Sequence, residues 1–266
     1  MGTEEVTVSR VLIIGFGTVG QELRFTFEEA TIHDPEYHFD APKADGDEPI
    51  YDVGFICVPT EMLEDGNADT SIVEAVVSEW LDSCEVLCIK STVPPGFTQE
   101  LIDRGHPVVM SPEYYGATVH AQSVMQDFVI LGGLDQDCRH VAEVYKEVMP
   151  GSFRIHYTTA TTAELVKYGE NAWLATKVAF VNEFARICGT FEVNPDVWRQ
   201  LWLLDARINP SHTWAYRNKP YFDSHCLNKD VPAIIAASLD AGYYPSILES
   251  VRRQNEKWIE AMEDLW

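Results

Sequence analysis

A parallel α/β sheet with helices on both faces, followed by an all-α domain with a long helix, is the fold this sequence predicts. Three observations predict it. Short apolar runs alternate with amphipathic stretches through the first half of the chain. A glycine-rich turn joins the first of these runs to a helical stretch. Beyond Tyr157 the strand-like runs stop and long helical segments take over. Apolar runs that alternate with helices are the pattern of strands buried on both faces.

Val11–Ile14, Val53–Val58, Val86–Ile89, Val108–Met110 and Val129–Leu131 are the expected strands, each short and rich in Val, Ile or Cys. Thr70–Asp82 and Asp135–Val148 are expected helices between them. A long helix is expected from Thr161 to about Cys188, a stretch without Pro and with only Gly169 interrupting. Leu165, Trp173, Val178, Val181 and Phe184 would line its apolar stripe. Asn194 followed by Pro195 reads as a cap and first helical position. Asn209–His225 is polar and turn-rich, hence an irregular loop. A helix over Lys229–Asp240, capped by Asn228 and closed at Gly242, and a last helix from Pro245 complete the chain. The expected domains are 1–157, a nucleotide-binding sheet, and 158–266, helical.

Composition excludes several classes. The 266 residues are 46% hydrophobic and 23% charged, which is ordinary for a globular chain. Against 19 Lys+Arg stand 42 Asp+Glu, a net charge of −23. Such a surface repels phosphate backbones and anionic lipids, so neither nucleic acid nor a membrane is an expected partner. The start, MGTEEVTVSR, lacks the apolar stretch of a signal peptide and no run is long enough to span a bilayer. Cys57, Cys84, Cys88, Cys138, Cys188 and Cys226 form no CxxC pair, as expected of reduced thiols in a cytoplasm. No His/Cys ligand spacing occurs, and no metal is expected.

The glycine turn carries the first chemistry. Gly15-Phe16-Gly17-Thr18-Val19-Gly20 follows a strand and opens a helix, and Asp34 stands about 20 residues beyond Gly15. This is the Rossmann context. Gly15 permits the tight turn, Gly17 lets backbone approach a pyrophosphate, and Gly20 lets helix and strand pack closely. Asp34 would accept hydrogen bonds from a ribose and repel a 2′-phosphate, which favours NAD over NADP. Lys167 and Asn171 are four apart on one helix face. They suit the holding of a substrate oxygen, or equally a snorkelling lysine and a surface amide; the spacing does not decide. Cys226 sits where loop meets helix, beside Lys229. A helix N-terminus and a lysine both stabilise a thiolate.

Several segments resemble the UDP-glucose/GDP-mannose 6-dehydrogenase family. They are Cys57-Val58-Pro59-Thr60, Asp65–Ser71, Lys90–Gly96, Ser111-Pro112-Glu113, Ala163–Ala172, Asp205–Ile208 and His225-Cys226-Leu227-Asn228-Lys229-Asp230. Together they reach over essentially the whole chain. The resemblance implies oxidation of a sugar primary alcohol to a carboxylate with two NAD molecules in turn. It implies Cys226 as nucleophile, with Lys167 and Asn171 holding the reacting oxygen. Asp230 would orient water or Lys167, Thr92 would hold that water, and Glu113 would serve as acid/base. The cofactor contacts implied are Gly15, Gly17, Thr18, Val19, Gly20, Asp34, Val58, Pro59, Thr60, Thr92 and Lys229. Arg207 would reach the substrate from the partner of a homodimer, packed through the long helix.

The chain departs from that pattern in three places. It stops at Trp266, where the family's third, nucleotide-gripping domain would be expected to begin. Tyr221-Phe222-Asp223-Ser224 replaces a glycine-rich stretch and would narrow or reshape the sugar pocket, and Asn228 replaces a Pro. Ala117 replaces an acid that touches the cofactor. Two alternatives stand beside this reading. One is a β-hydroxyacid dehydrogenase-like two-electron oxidoreductase using Lys167 and Asn171, which leaves Cys226 without a role. The other is an NAD-binding pseudoenzyme or partner-assembled module.

Overall fold

The computed structural model describes residues 9–46, 48–115 and 127–263. Its first unit is built on β1 (Val11–Ile14), β2 (Thr31–His33), β3 (Tyr51–Ile56), β4 (Cys84–Ile89), β5 (Val108–Met110), β6 (Phe128–Gly133) and β7 (Arg154–Thr158). They form one sheet in the order β2-β1-β3-β4-β5-β6-β7. From β1 the chain goes to β2 on one side and then to β3 on the other. The strand order therefore reverses beside β1. Open α/β sheets bind ligands at that reversal, outside the carboxyl ends of the strands.

The five expected strands are present, and every pairing but one is parallel. The exception corrects the expectation of a wholly parallel sheet: β6 runs antiparallel to β5. Parallel neighbours need a long crossover, usually a helix. Helix α4 (Asp135–Val148) supplies that crossover between β6 and β7, which are parallel.

Side chains alternate between the faces of the sheet. Leu12, Ile14, Ile56, Leu87 and Ile89 cluster with Val73, Val77 and Trp80 of α2 (Ser71–Trp80) and with Leu101 of α3 (Phe97–Asp103). Ile13, Val53, Phe55, Val86 and Cys88 cluster with Leu23 of α1 (Thr18–Thr26) and with Cys138, Val141 and Tyr145 of α4. The two-sided burial explains why these strands read as unbroken apolar runs.

The division into two units falls between Lys167 and Tyr168, inside α5 (Ala160–Thr190). The second unit takes Met62–Ala68 and the residues from Tyr168 on. It contains α6 (Pro195–Trp202), α7 (His225–Asp240) and α8 (Ser246–Glu263). Its core joins Ala175, Val178 and Ala179 of α5 to Leu227, Val231 and Ile235 of α7 and to Val251 and Trp258 of α8. Phe184, Trp198 and Trp202 stack beside it, with ring centroids 4.6 and 5.1 Å apart. Asn194 caps α6 by accepting from the Asp196 amide, with Pro195 first in the helix, as expected. Gly242, at φ +83°, closes α7 with hydrogen bonds Gly242 N–H to Leu239 and Tyr243 N–H to Ser238.

Two helix expectations need correction. The α5 stripe divides: Val178 and Val181 enter the core, while Leu165 and Trp173 stay exposed. Helix α7 starts at His225, capped by the Ser224 hydroxyl, which accepts from the Leu227 amide. Asn228 is thus inside the first turns rather than the cap, and its amide donates to Asp223. No helix among the described residues is long and apolar enough to cross a membrane.

Candidate active site

In the first unit the glycine turn has the geometry its sequence requires. Gly15 sits at φ +93°, a conformation that disfavours any side chain. A Cβ at Gly20 would lie 3.4 Å from the Ile13 side chain and far inside contact distance of the Gly15 carbonyl, so α1 packs directly on β1. A Cβ at Gly17 would meet nothing within 4 Å, which leaves open space beside the helix start. Gly17 caps α1 without any side chain accepting its amides, and no acidic residue stands in the first turn. Thr18, Val19 and Gly20 form a first turn whose amides and positive helix end suit a pyrophosphate. Asp34, just past β2, is buried. Its carboxylate accepts from Phe16 N–H at 2.6 Å and from Glu36 N–H at 2.9 Å. It thereby fixes the glycine turn from below, beyond the ribose role expected of it. These residues fit a dinucleotide.

The loops after β3 and β4 are braced together. Cys57 N–H donates to Ile14 at 2.7 Å. Pro59 is exposed, Val58 half-buried and Thr60 buried. The Thr60 hydroxyl donates to the Thr92 carbonyl at 2.9 Å, and the Ser91 hydroxyl to Val58 at 2.6 Å. Thr92 is buried between these contacts. Glu113, past β5, is also buried; it accepts from Tyr115 N–H at 2.6 Å and pairs with the Lys167 ammonium at 3.3 Å. A buried carboxylate and a buried ammonium in one pair are charges held out of water, a common feature of proton-handling sites. Burial raises the thiols of Cys57, Cys84, Cys88 and Cys138, Cys88 to about 11 and Cys84 and Cys138 to about 12. These four stay protonated at neutral pH.

In the second unit Asp230 is 2% exposed and gathers two donors. Asn171 donates its amide to Oδ2 at 2.6 Å, and Lys229 donates its ammonium to Oδ1 at 2.7 Å. Cys226 lies one turn before Asp230 on α7, in the helix's first turn, and is the exposed cysteine of the six. Arg207 is exposed, with its side chain 88% accessible, and its guanidinium meets the Asp205 carboxylate at 2.9 and 3.1 Å through Nε. The bulky residues before Cys226 do not all crowd a pocket: Phe222 is buried in the helical core, Asp223 pairs with Lys219 at 2.8 Å, and Ser224 is the cap. Ala117 and the first eight residues lie outside the described residues.

Three positioning groups escaped the sequence reading. Glu164 accepts from Gly96 N–H at 2.6 Å and Thr98 N–H at 2.8 Å, capping α3 from α5. Lys90 is buried at the end of β4, and a lysine closing an apolar strand was the one signal available. Asn255 of α8 clamps the loop before Cys226, accepting from Phe222 N–H at 2.8 Å and donating to its carbonyl at 2.9 Å. Asn255→Ala should cost about 1–3 kcal/mol, because both Phe222 backbone groups are buried. A thermal melt should fall by roughly 2–10 °C; an unchanged melt would show that water replaces the clamp.

A glycine-turn dinucleotide sheet followed by a helical unit with a cysteine–aspartate helix face defines a Rossmann-type nucleotide-binding protein with a helical second unit. The chain belongs to the UDP-glucose/GDP-mannose dehydrogenase family. Residues 43–149 match its NAD binding domain and residues 161–257 its central domain. NAD is accordingly the cofactor. A UDP-glucose 6-dehydrogenase of Rhizobium meliloti is 33% identical over 229 residues, covering 79% of this chain and 51% of that protein. The chain spans about half the length of the curated relatives it matches. Two solved structures share the fold. A UDP-glucose dehydrogenase from Pyrobaculum islandicum has a TM-score of 0.78 at 23% identity, over 97% of this chain and 70% of that one. The Mycobacterium tuberculosis 3-hydroxyisobutyrate dehydrogenase has a TM-score of 0.66 at 15% identity, over 95% of this chain and 94% of that one.

Proposed function

We propose that this chain oxidises the primary alcohol of a nucleotide sugar to a carboxylate. The observation that carries the reading is the exposed Cys226, in the first turn of α7 and one turn from a buried Asp230 that grips Asn171. Bound NAD supplies the hydride acceptor, one molecule for each of two oxidations. The glycine turn and Asp34 hold it, with Val58, Pro59, Thr60, Thr92 and Lys229 as further contacts. Lys167 and Asn171 bind the substrate oxygen; as the alcohol becomes an aldehyde its proton passes to Lys167 while the Lys167 ammonium gives one of its own to the paired Glu113 carboxylate, which later returns it to water. The Cys226 thiolate bonds to the aldehyde carbon, and the oxyanion so formed is held by the same two residues. After the second oxidation the carbon is a thioester. Water oriented by Thr92 and Asp230 adds to it, Glu113 takes the water's proton, and the Cys226 thiolate leaves. In this reading most cofactor contacts belong to residues 1–157, while Cys226, Asn171 and Asp230 belong to residues 158–266.

The test is incubation with NAD and a panel of nucleotide sugars, sugar phosphates and small hydroxyacids. Turnover of a nucleotide sugar is the expected result. NAD binding without turnover of any candidate would leave a cofactor-binding module instead.

The protein also acts as a homodimer in this reading. Trp173, Phe180 and Ile187 recur every seven residues along α5 and remain 61%, 46% and 39% exposed. An apolar stripe of that size needs cover, and a second copy of α5 supplies it with matching spacing. Arg207 then serves the partner's substrate. Trp173→Glu should convert the dimer to monomer in sedimentation; a wild-type protein that is monomeric and active would end this proposal. Its reduced thiols suit the cytoplasm.

A further inference from the structure

Lys90 takes part in none of the steps above, yet its side chain is 4% exposed at the carboxyl end of β4. An ammonium is kept out of water only where something holds it. Its Nζ donates to the Ser111 hydroxyl at 3.1 Å. Ser111 follows β5 directly, and Ser111, Pro112 and Glu113 are all buried. Two residues on, Glu113 accepts from Tyr115 N–H at 2.6 Å and meets Lys167 at 3.3 Å. The thiol of Cys88 and the hydroxyl of Tyr145 also face Ser111. Burial lowers the affinity of the Lys90 amine for its proton, the neighbouring Glu113 raises it, and Lys167 lowers it. Two lysines therefore share the field of one carboxylate, and only one of them touches it.

We infer that Lys90 is a positioning residue for the oxidation: by holding Ser111 it fixes the buried turn that presents Glu113 to Lys167. The inference rests on the proposed function for its consequence, because the Lys167–Glu113 pair handles the substrate proton there. Its geometry stands without it. A displacement of about 1 Å at a reacting group costs on the order of 10²-fold in rate, so a slackened turn should appear in kcat and leave substrate binding nearly intact.

The experiment pairs Lys90→Met with Ser111→Ala and their double variant, in the full chain, with NAD and the best nucleotide sugar. Lys90→Met should lower kcat by about 10–100-fold with both KM values within about twofold. Ser111→Ala should lower kcat in the same way, and the double variant should be no worse than Lys90→Met, because both act through one contact. A crystal structure of either single variant should show Glu113 withdrawn from Lys167. Additive losses in the double variant, or a raised KM with kcat unchanged, would overturn the inference. If Lys90→Met does not fold, Ser111→Ala decides: wild-type kcat with an intact Glu113–Lys167 pair sinks it. If the wild-type protein turns over no nucleotide sugar, the functional reading fails by itself. The Glu113–Lys167 distance in the variants then still decides the role of Lys90.

Discussion

Cys226→Ser should stop carboxylate formation while leaving the protein folded. A serine hydroxyl is scarcely ionised at neutral pH, and no base is assigned to activate it, so attack on the aldehyde loses its nucleophile. The carboxylate yield per unit time should fall on the order of 10³-fold or more, the scale seen when an enzyme's nucleophile is removed. The first oxidation does not involve the thiol and should continue until the aldehyde accumulates, so NADH should not exceed one per substrate. Stability should be nearly unchanged, because Cys226 is exposed and the α7 cap belongs to Ser224. Mass spectrometry of the product, beside a thermal melt, checks both halves. Carboxylate made at the wild-type rate would remove Cys226 from the mechanism.

Asp230→Ala should be the most damaging single change in the helical unit. The carboxylate is 2% exposed and accepts from the Asn171 amide at 2.6 Å and the Lys229 ammonium at 2.7 Å. Removing one partner from a buried charged network costs about 3–5 kcal/mol. For a chain of this size that is a fall of roughly 6–20 °C in the melting temperature. Activity should fall as well, because Asn171 loses the group that aims it. Asp230→Asn keeps the shape and one acceptor for Asn171, so it should cost less stability than Ala. A urea titration of the two variants gives the order, and an Asp230→Ala protein as stable as wild type would contradict it.

The parts of the fold legible in the sequence are those buried on two sides. Val11–Ile14 and Val108–Met110 coincide with β1 and β5 because nothing polar interrupts them. The edge strands were harder. In β7 Arg154, His156 and Tyr157 are exposed, so no apolar run marks it, and β2 is half-buried throughout. Periodicity located α5 but not its inward face, since Trp173 and Val178 are equally apolar and only the packing separates them. Asn228-Lys229-Asp230 looks like a helix start because those residue types favour one, yet Ser224 begins the helix a turn earlier. The chemical groups of the site were readable as short segments. Their holders were not: Ser111 on Lys90, Gly96 on Glu164 and Phe222 on Asn255 join residues far apart in sequence. Such contacts leave no local pattern.

The central claim is a four-electron oxidation carried by a cysteine, and the number of NADH molecules per substrate tests it most directly. The wild-type protein should yield two NADH for each nucleotide sugar consumed, with the carboxylate as product. One NADH per substrate, unchanged in Cys226→Ser, would mean a two-electron alcohol dehydrogenase in which the exposed thiol has no part.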